Sequence, residues 1–444
     1  MAEGVAGDSA YALVHLVVQE IQKGLIESQV VDHMEVQATT PGPSAPARVA
    51  VVFLEPARIA FSGRVRRRRK ALAHRAPHTH IDVLAYVGRL GMDWNARLLA
   101  WRIHRITRGR RVVFHCRGET AALWALAIRE SLPNGAIVTD VRGIWPEEFL
   151  HASGYDSASA AANDSGAMAG YRGALDRMST ALSRSDAMLT VSRALVCWVD
   201  DMAIRRPPAA VVPCSVAGIT FDANQRARAR QELNVENKVV LAFVGSMTRY
   251  QHVEDGFAEF CKVAVNRWGA ERVHVLCLTP DAKSMTAVLN CAGVPENATT
   301  VMSVPQAQVA DYLVAADAGF LLRDASAVNR VSVPVKIGEY LAAGVPVIVS
   351  SIEQWVDDLF DRASAALVVD WFGQSRARQE DAVESMMARL AKDGPSLRNQ
   401  ALELCRRRFV WSAHVPTVRD TYVSALRRVA EQPHTVASLV TNGA

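Results

Sequence analysis

Short apolar, β-branched runs alternate along this chain with stretches whose apolar residues recur every three to four positions. The first series of runs is 12–18 (ALVHLVV), 49–54 (VAVVFL), 82–87 (DVLAYV), 111–116 (RVVFHC), 136–141 (AIVTDV) and 187–191 (AMLTV). The second is 210–213 (AVVP), 239–244 (VVLAFV), 272–278 (RVHVLCL), 299–302 (TTVM), 317–322 (DAGFLL) and 345–350 (VPVIVS). Nearly uniform apolarity marks strands buried on both faces of a parallel sheet. Amphipathic stretches at 26–37, 95–107 and 119–131 read as helices between them. The alternation, run through twice, predicts an α/β protein of two doubly wound, Rossmann-like domains. Boundaries are expected at 1–203 and 204–411, with the seam in the proline-containing stretch 201–220. A helix at 412–431 should pack back across the seam, and 432–444 should be a flexible tail. Segments 38–48 and 153–170 are rich in small, polar or proline residues and read as loops.

The chain has 444 residues, half of them hydrophobic and 21% charged, which excludes a disordered chain and provides for two cores. A net charge of +5 is too mild to demand nucleic acid. Seven cysteines without a C-x-x-C pair argue against a disulfide framework or a zinc knuckle and for a reducing, cytoplasmic setting. No apolar run approaches the length of a membrane span. One basic run stands out, Arg64, Arg66, Arg67, Arg68, Arg69 and Lys70. Its plain reading is a solvated helix face; its sharper reading is peripheral contact with the inner face of a membrane. His74, His78, His80 and Asp82 have ligand chemistry but no recognised metal spacing, and no metal is expected there.

The richest stretch is 317–350, DAGFLLRDASAVNRVSVPVKIGEYLAAGVPVIVS. A strand runs into a loop, then Pro334 opens a helix, with Ser332 or Val333 near its cap, that stops at Gly344. Lys336 falls in the first turn, where the helix dipole disfavours a cation by up to ~1 kcal/mol. An anion bound at that helix start removes the conflict. Glu339, three residues on, shares a face with Lys336 and can accept hydrogen bonds from sugar hydroxyls; the plain alternative is a surface ion pair. The strand 239–244 ends in Gly245, where backbone can approach a ligand closely, followed by Ser246 and Arg249 as anion donors.

The run P-x-K-x-x-E-Y-L-A-A-G-x-P-V-I, Pro334 to Ile348, resembles the donor-site signature of group 1 retaining glycosyltransferases with the GT-B fold. FVGS (243–246), AADAGFLLR (315–323), VVP (211–213), TVSRAL (190–195) and the helix from Trp411 agree with it. In the first half GLIESQV (24–30), FHCRG (114–118) and TDVRGIWPEE (139–148) resemble the family's acceptor-side loops. The resemblance spans about 12 to 430. It implies transfer of a sugar from a nucleoside diphosphate sugar to an acceptor hydroxyl on a sugar or a lipid-linked acceptor, with retention. The donor would bind in the second domain and the acceptor in the first. It implies that Glu339 holds the ribose; the diphosphate is expected on the Gly245–Ser246 backbone, Arg249, Lys336 and the helix start at Ser332 and Pro334.

Two departures bear on this. Members often carry E-x7-E, and here Val331 stands at the first glutamate. They often place Arg and Lys after the glycine, where this chain has Ser246 and Gln251. No D-x-D occurs, so the role of a metal–diphosphate clamp falls to the helix start and the cations. On the acceptor side, His115 and Arg117 end one strand and Asp140 and Arg142 the next, and both ends should face the cleft. Asp140 or His115 would orient the acceptor hydroxyl or act as base; an Asp140–Arg142 or Arg117–Glu119 structural pair reads equally well. Gly24 either lets its loop approach the donor phosphate or is a plain turn glycine. A nucleotide-sugar epimerase of the same fold, and a binding protein with a degenerate donor site, are the competing readings.

Overall fold

The computed structural model describes residues 11–360 and 365–431, apart from the side chain of Arg249. Thirteen strands are found among them. They are β1 (Tyr11–Val18), β2 (Arg48–Pro56), β3 (His80–Tyr86), β4 (Arg111–Arg117), β5 (Ala136–Val141), β6 (Ala187–Thr190), β7 (Ala209–Val211), β8 (Val239–Val244), β9 (Val273–Leu278), β10 (Thr299–Met302), β11 (Ala318–Leu321), β12 (Val347–Ser350) and β13 (Ala366–Val369). They form two all-parallel sheets, in the orders β3-β2-β1-β4-β5-β6-β7 and β10-β9-β8-β11-β12-β13. Each order reverses once, between β1 and β4 and between β8 and β11. Those reversals open a crevice at the carboxyl ends of the strands, where open α/β sheets take their ligands.

The uniformly apolar runs are buried because helices cover both faces of each sheet. Every run marked from the sequence forms a strand, and β13 adds one that the sequence reading left out. The run at 210–213, placed with the second series, forms β7 and pairs with β6 as the edge of the first sheet. After the helix Arg193–Asp201 the chain needs only a short turn to reach that edge, so it crosses to the second sheet after Val211.

The segment 153–170 is not all loop. Asp164 caps a helix at Ser165–Ser183, its carboxylate accepting from the N–H groups of Gly166 (3.0 Å) and Ala167 (2.9 Å). Ala161, Ala167 and Tyr171 then pack with Leu150 in a small cluster. The segment 432–444 lies outside the described residues.

The helix Trp411–Glu431 belongs to the first domain's core. Trp411, Val418, Tyr422 and Ala425 pack with Tyr11, Leu13 and Val51, after the chain has left the second domain along the 33-residue helix Arg376–Arg408. A β-bridge between Val216 and Val410 fastens the crossing, the N–H of Trp411 donating to Val216 (3.0 Å).

Candidate functional site

The sharpest site lies at the reversal of the second sheet. The helix Val335–Ala342 is seated there by Tyr340, whose hydroxyl accepts from the N–H of Val244 (3.0 Å). A β-carbon at Gly319 would stand 2.3 Å from that ring, so glycine is what lets helix and β11 meet. Pro334 occupies the position before the first helical residue, one place earlier than the sequence suggests, and Gly344 ends the helix with φ +68°. Ser332 lies in the loop before it, its hydroxyl donating to the carbonyl of Asn329 (3.1 Å).

From the first turn, Lys336 runs across the end of β8. Its ammonium donates to the Gln251 side-chain oxygen and sits 4.5 Å from the centre of the Phe243 ring. Gly245, with φ +107°, leaves room for it. Ser246 is exposed on the following loop, its carbonyl accepting from the Gln251 amide (2.7 Å). The side chain of Arg249 lies outside the described residues.

A second cation, Arg323, emerges from the loop after β11 on the far side of the reversal. It is 7% exposed, donates to Asn329 (3.3 Å), lies 4.9 Å from the Tyr250 ring, and its Nε has no partner. Burial and then the repulsion of Arg323 push the Lys336 amine down to about 7. Burial pushes Arg323 down to about 10. Two crowded cations share this spot, and neither makes a close ion pair among the described residues; Glu339 attracts Lys336 and Asp324 attracts Arg323, but burial outweighs both. Glu339 is three residues along, held by the Gln306 amide (3.2 Å), its carboxyl raised by burial although Lys336 opposes this. It borders a cleft of about 250 Å³ between the domains, lined from the other side by Gly24, Glu27, Ser28, Asp32 and Arg75. Gly24 therefore does face the second domain; a β-carbon there would meet nothing within 4 Å.

Val331, at the position of the first family glutamate, is buried, and its carbonyl accepts from the Ser192 hydroxyl (2.6 Å) across the domain seam. The sequence marks Gln251 only as standing where the family has a cation, and does not point to Arg323 or Gln306 as site residues. The run AADAGFLLR contained the only available signal for Arg323, a cation directly after a buried strand.

On the acceptor side the expectation that the strand ends open into the cleft needs correction. His115 and Asp140 are fully buried beneath the Trp411–Glu431 helix. His115 lies between Asp140 (3.1 Å) and the Tyr422 hydroxyl (2.7 Å). Asp140 also pairs with Arg142 (2.7 Å). Burial alone would raise its carboxyl, but Arg142 and His115 outweigh it and hold it far below the usual range. The structural pair is thus Asp140–Arg142, while Arg117 pairs with Glu20 (2.7 Å) and not with Glu119.

Next to this pair the His15 and His115 rings lie 4.2 Å apart, tilted by 44°, on neighbouring strands, and His33 stacks on Trp411 at 4.2 Å. Ligand atoms of the three imidazoles lie within 4.8 Å of one another. Both nitrogens of His115 are committed, whereas both of His15 and Nδ1 of His33 are buried without a partner. Burial and mutual repulsion hold His15 and His33 well below the ordinary histidine value. The cluster read at 74–82 is dispersed: His78 bonds Glu35 (2.6 Å), and Asp82 faces Arg69 and Arg102. All seven cysteines are unpaired.

The basic run lies on the helix Gly63–Arg75. Arg68 turns inward to Glu27 and Arg75 to Asp32 (2.6 Å), while Arg64, Arg66, Arg67 and Lys70 are exposed. Among the described residues no helix is long and apolar enough to cross a membrane.

No family model and no curated protein matches the sequence. Solved structures do match in fold. A glycosyltransferase from Rickettsia africae superposes with a TM-score of 0.64 at 12% identity, covering 94% of this chain and 99% of that one. HepE of Anabaena in complex with UDP gives 0.63 at 13%, covering 94% and 100%. Sucrose-phosphate synthase of Thermosynechococcus elongatus gives 0.59 at 14%, covering 94% and 99%. The chain has the GT-B fold, two Rossmann-like domains joined by a C-terminal crossover helix.

Proposed function

We propose that this protein is a glycosyltransferase that moves a sugar from a nucleoside diphosphate sugar to an acceptor hydroxyl, with retention. The observation that carries the reading is the pair Lys336 and Arg323. Two desolvated cations meet at the reversal of the second sheet, beside a glycine and a helix start, and the pull of Glu339 on Lys336 and of Asp324 on Arg323 does not offset their burial. A diphosphate supplies the missing charge. Negative charge grows on that diphosphate as the sugar–oxygen bond breaks, so fixed cations there stabilise the transition state more than the ground state. Lys336, Arg323, the 245–246 backbone and the helix start carry this role without a bound metal. Glu339, facing the cleft, holds the ribose hydroxyls, and Arg249 adds a further donor.

The acceptor enters from the first domain across the cleft lined by Gly24, Glu27 and Asp32. Asp140 and His115, buried under the Trp411–Glu431 helix, hold Arg142 in place and do not touch the acceptor. With Val331 in place of a glutamate, the sugar is gripped by other groups.

A thermal-shift panel of UDP, GDP, dTDP and their sugars tests the reading. UDP is the first to try, because HepE of Anabaena was solved with it. Stabilisation by one nucleotide series, absent in Lys336→Ala, supports it; no stabilisation by any member overturns it. Sugar analysis after incubation with donor alone separates transfer from epimerisation.

A further inference from the structure

The helix Gly91–Thr107 covers one face of β2 and β3 with Ala96, Leu99, Ala100 and Ile103. Its outer face is the reverse of what water favours. Leu90 (57% exposed), Trp94 (71%), Leu98 (58%) and Trp101 (52%) point outward with Met92, spaced so that 94, 98 and 101 share one stripe. Scattered exposed apolar residues are ordinary, but two tryptophans and a leucine on one stripe are not. Cations rim the stripe. Arg97 lies 6.0 Å from the Trp94 ring and Arg105 5.0 Å from Trp101.

This helix and the basic helix Gly63–Arg75 lie on opposite faces of the sheet, packed into separate cores, and meet at its edge strand β3. Asp82 on β3 draws Arg102 of one (3.5 Å) and Arg69 of the other (3.9 Å) toward the same rim. Arg64, Arg66, Arg67 and Lys70 extend the positive charge, and Phe61 (76% exposed) stands at the start of the basic helix.

We infer that this edge of the first domain docks on the surface of an anionic lipid bilayer. Trp94, Leu98 and Trp101 enter the headgroup layer, and the arginines and Lys70 pair with lipid phosphates. The charge is complementary, and long arginine stems can lie along the acyl boundary while their heads stay wet. Tryptophan suits this depth because its ring is apolar and its N–H is not. The surface also adjoins the cleft, since the basic helix sends Arg68 and Arg75 to the cleft residues Glu27 and Asp32. An acceptor headgroup borne on a lipid would have a short path to the donor. The docking itself does not rest on the sugar-transfer reading and is tested apart from it.

The test is co-sedimentation of the full chain with phosphatidylcholine vesicles and with phosphatidylglycerol-rich vesicles. The variants are Trp94→Ser/Trp101→Ser and Arg66→Glu/Arg67→Glu. Binding is expected to anionic vesicles only, to weaken as salt is raised, and to fall roughly tenfold or more in each variant. Both variants should keep the parent's circular dichroism and melting temperature, because the replaced groups are exposed. A chain that ignores anionic vesicles, or a tryptophan variant that binds them as well as the parent, overturns the proposal. So does a parent that is dimeric in solution and becomes monomeric in the tryptophan variant, since the stripe is then a contact between copies.

Discussion

A β-carbon at position 245 would stand 2.8 Å from the Cε of Lys336 and 3.0 Å from its Nζ, so only a bare backbone lets the lysine lie across the end of β8. The residue also has φ +107°, which side-chain-bearing residues rarely adopt. Gly245→Ala is therefore expected to cost about 1–3 kcal/mol of stability through backbone strain and the displaced lysine. It should also weaken nucleotide binding. Chemical denaturation and calorimetric titration with UDP measure the two effects; an alanine variant that binds like the parent would show that the lysine does not grip the ligand from this position.

Lys336 is a cation held against its own desolvation. Replacing it by the apolar, similarly long methionine removes the charge and keeps much of the volume. Lys336→Met should melt at a higher temperature than the parent while losing about 10²–10³-fold in turnover. A variant that loses stability along with activity would mean the amine serves the fold.

The same amine gives a pH signature. In the free protein it titrates at about 7. A bound diphosphate favours the charged form, so binding takes up a proton over the range above pH 7. Affinity for UDP should fall by up to about tenfold per pH unit as the pH rises past 7, and Lys336→Met should show no such slope. Titrations in buffers of different ionisation enthalpy read the proton directly. A pH-independent affinity in the parent sinks the assignment.

His15 and His33 give the opposite test, of stability and not of binding. Both are held neutral when folded, by burial first and then by neighbouring charges. The unfolded chain protonates them below about pH 6.5, so it binds more protons there than the folded chain. Their contribution is present above that pH and is lost as the pH falls further. Acid should destabilise the first domain, and His15→Phe should flatten the decline. Urea melts between about pH 7.5 and 5 measure it.

The strands were legible because a parallel sheet buries both faces and writes that burial as unbroken apolar runs. The helix start at Pro334 and its stop at Gly344 were legible because both are set by local backbone chemistry. Arg323 was not, because its meaning comes from the chain folding back after β11 so that a loop residue meets Lys336 of the next helix, a pairing that no local spacing announces. His115 and Asp140 misled for the same reason: strand-end positions suggest a cleft, and nothing near them in sequence announces that Tyr422 and Trp411 return to cover them.

The return of Trp411, Val418 and Tyr422 to the first domain also orders events during synthesis. The first domain's strands leave the ribosome before the residues that complete their core, and the place of Trp411, Val418 and Tyr422 stays unfilled until the second domain has been made. The first domain is thus born incomplete and is sealed by a helix made after the second domain, which makes that helix a checkpoint that a product terminated before it fails.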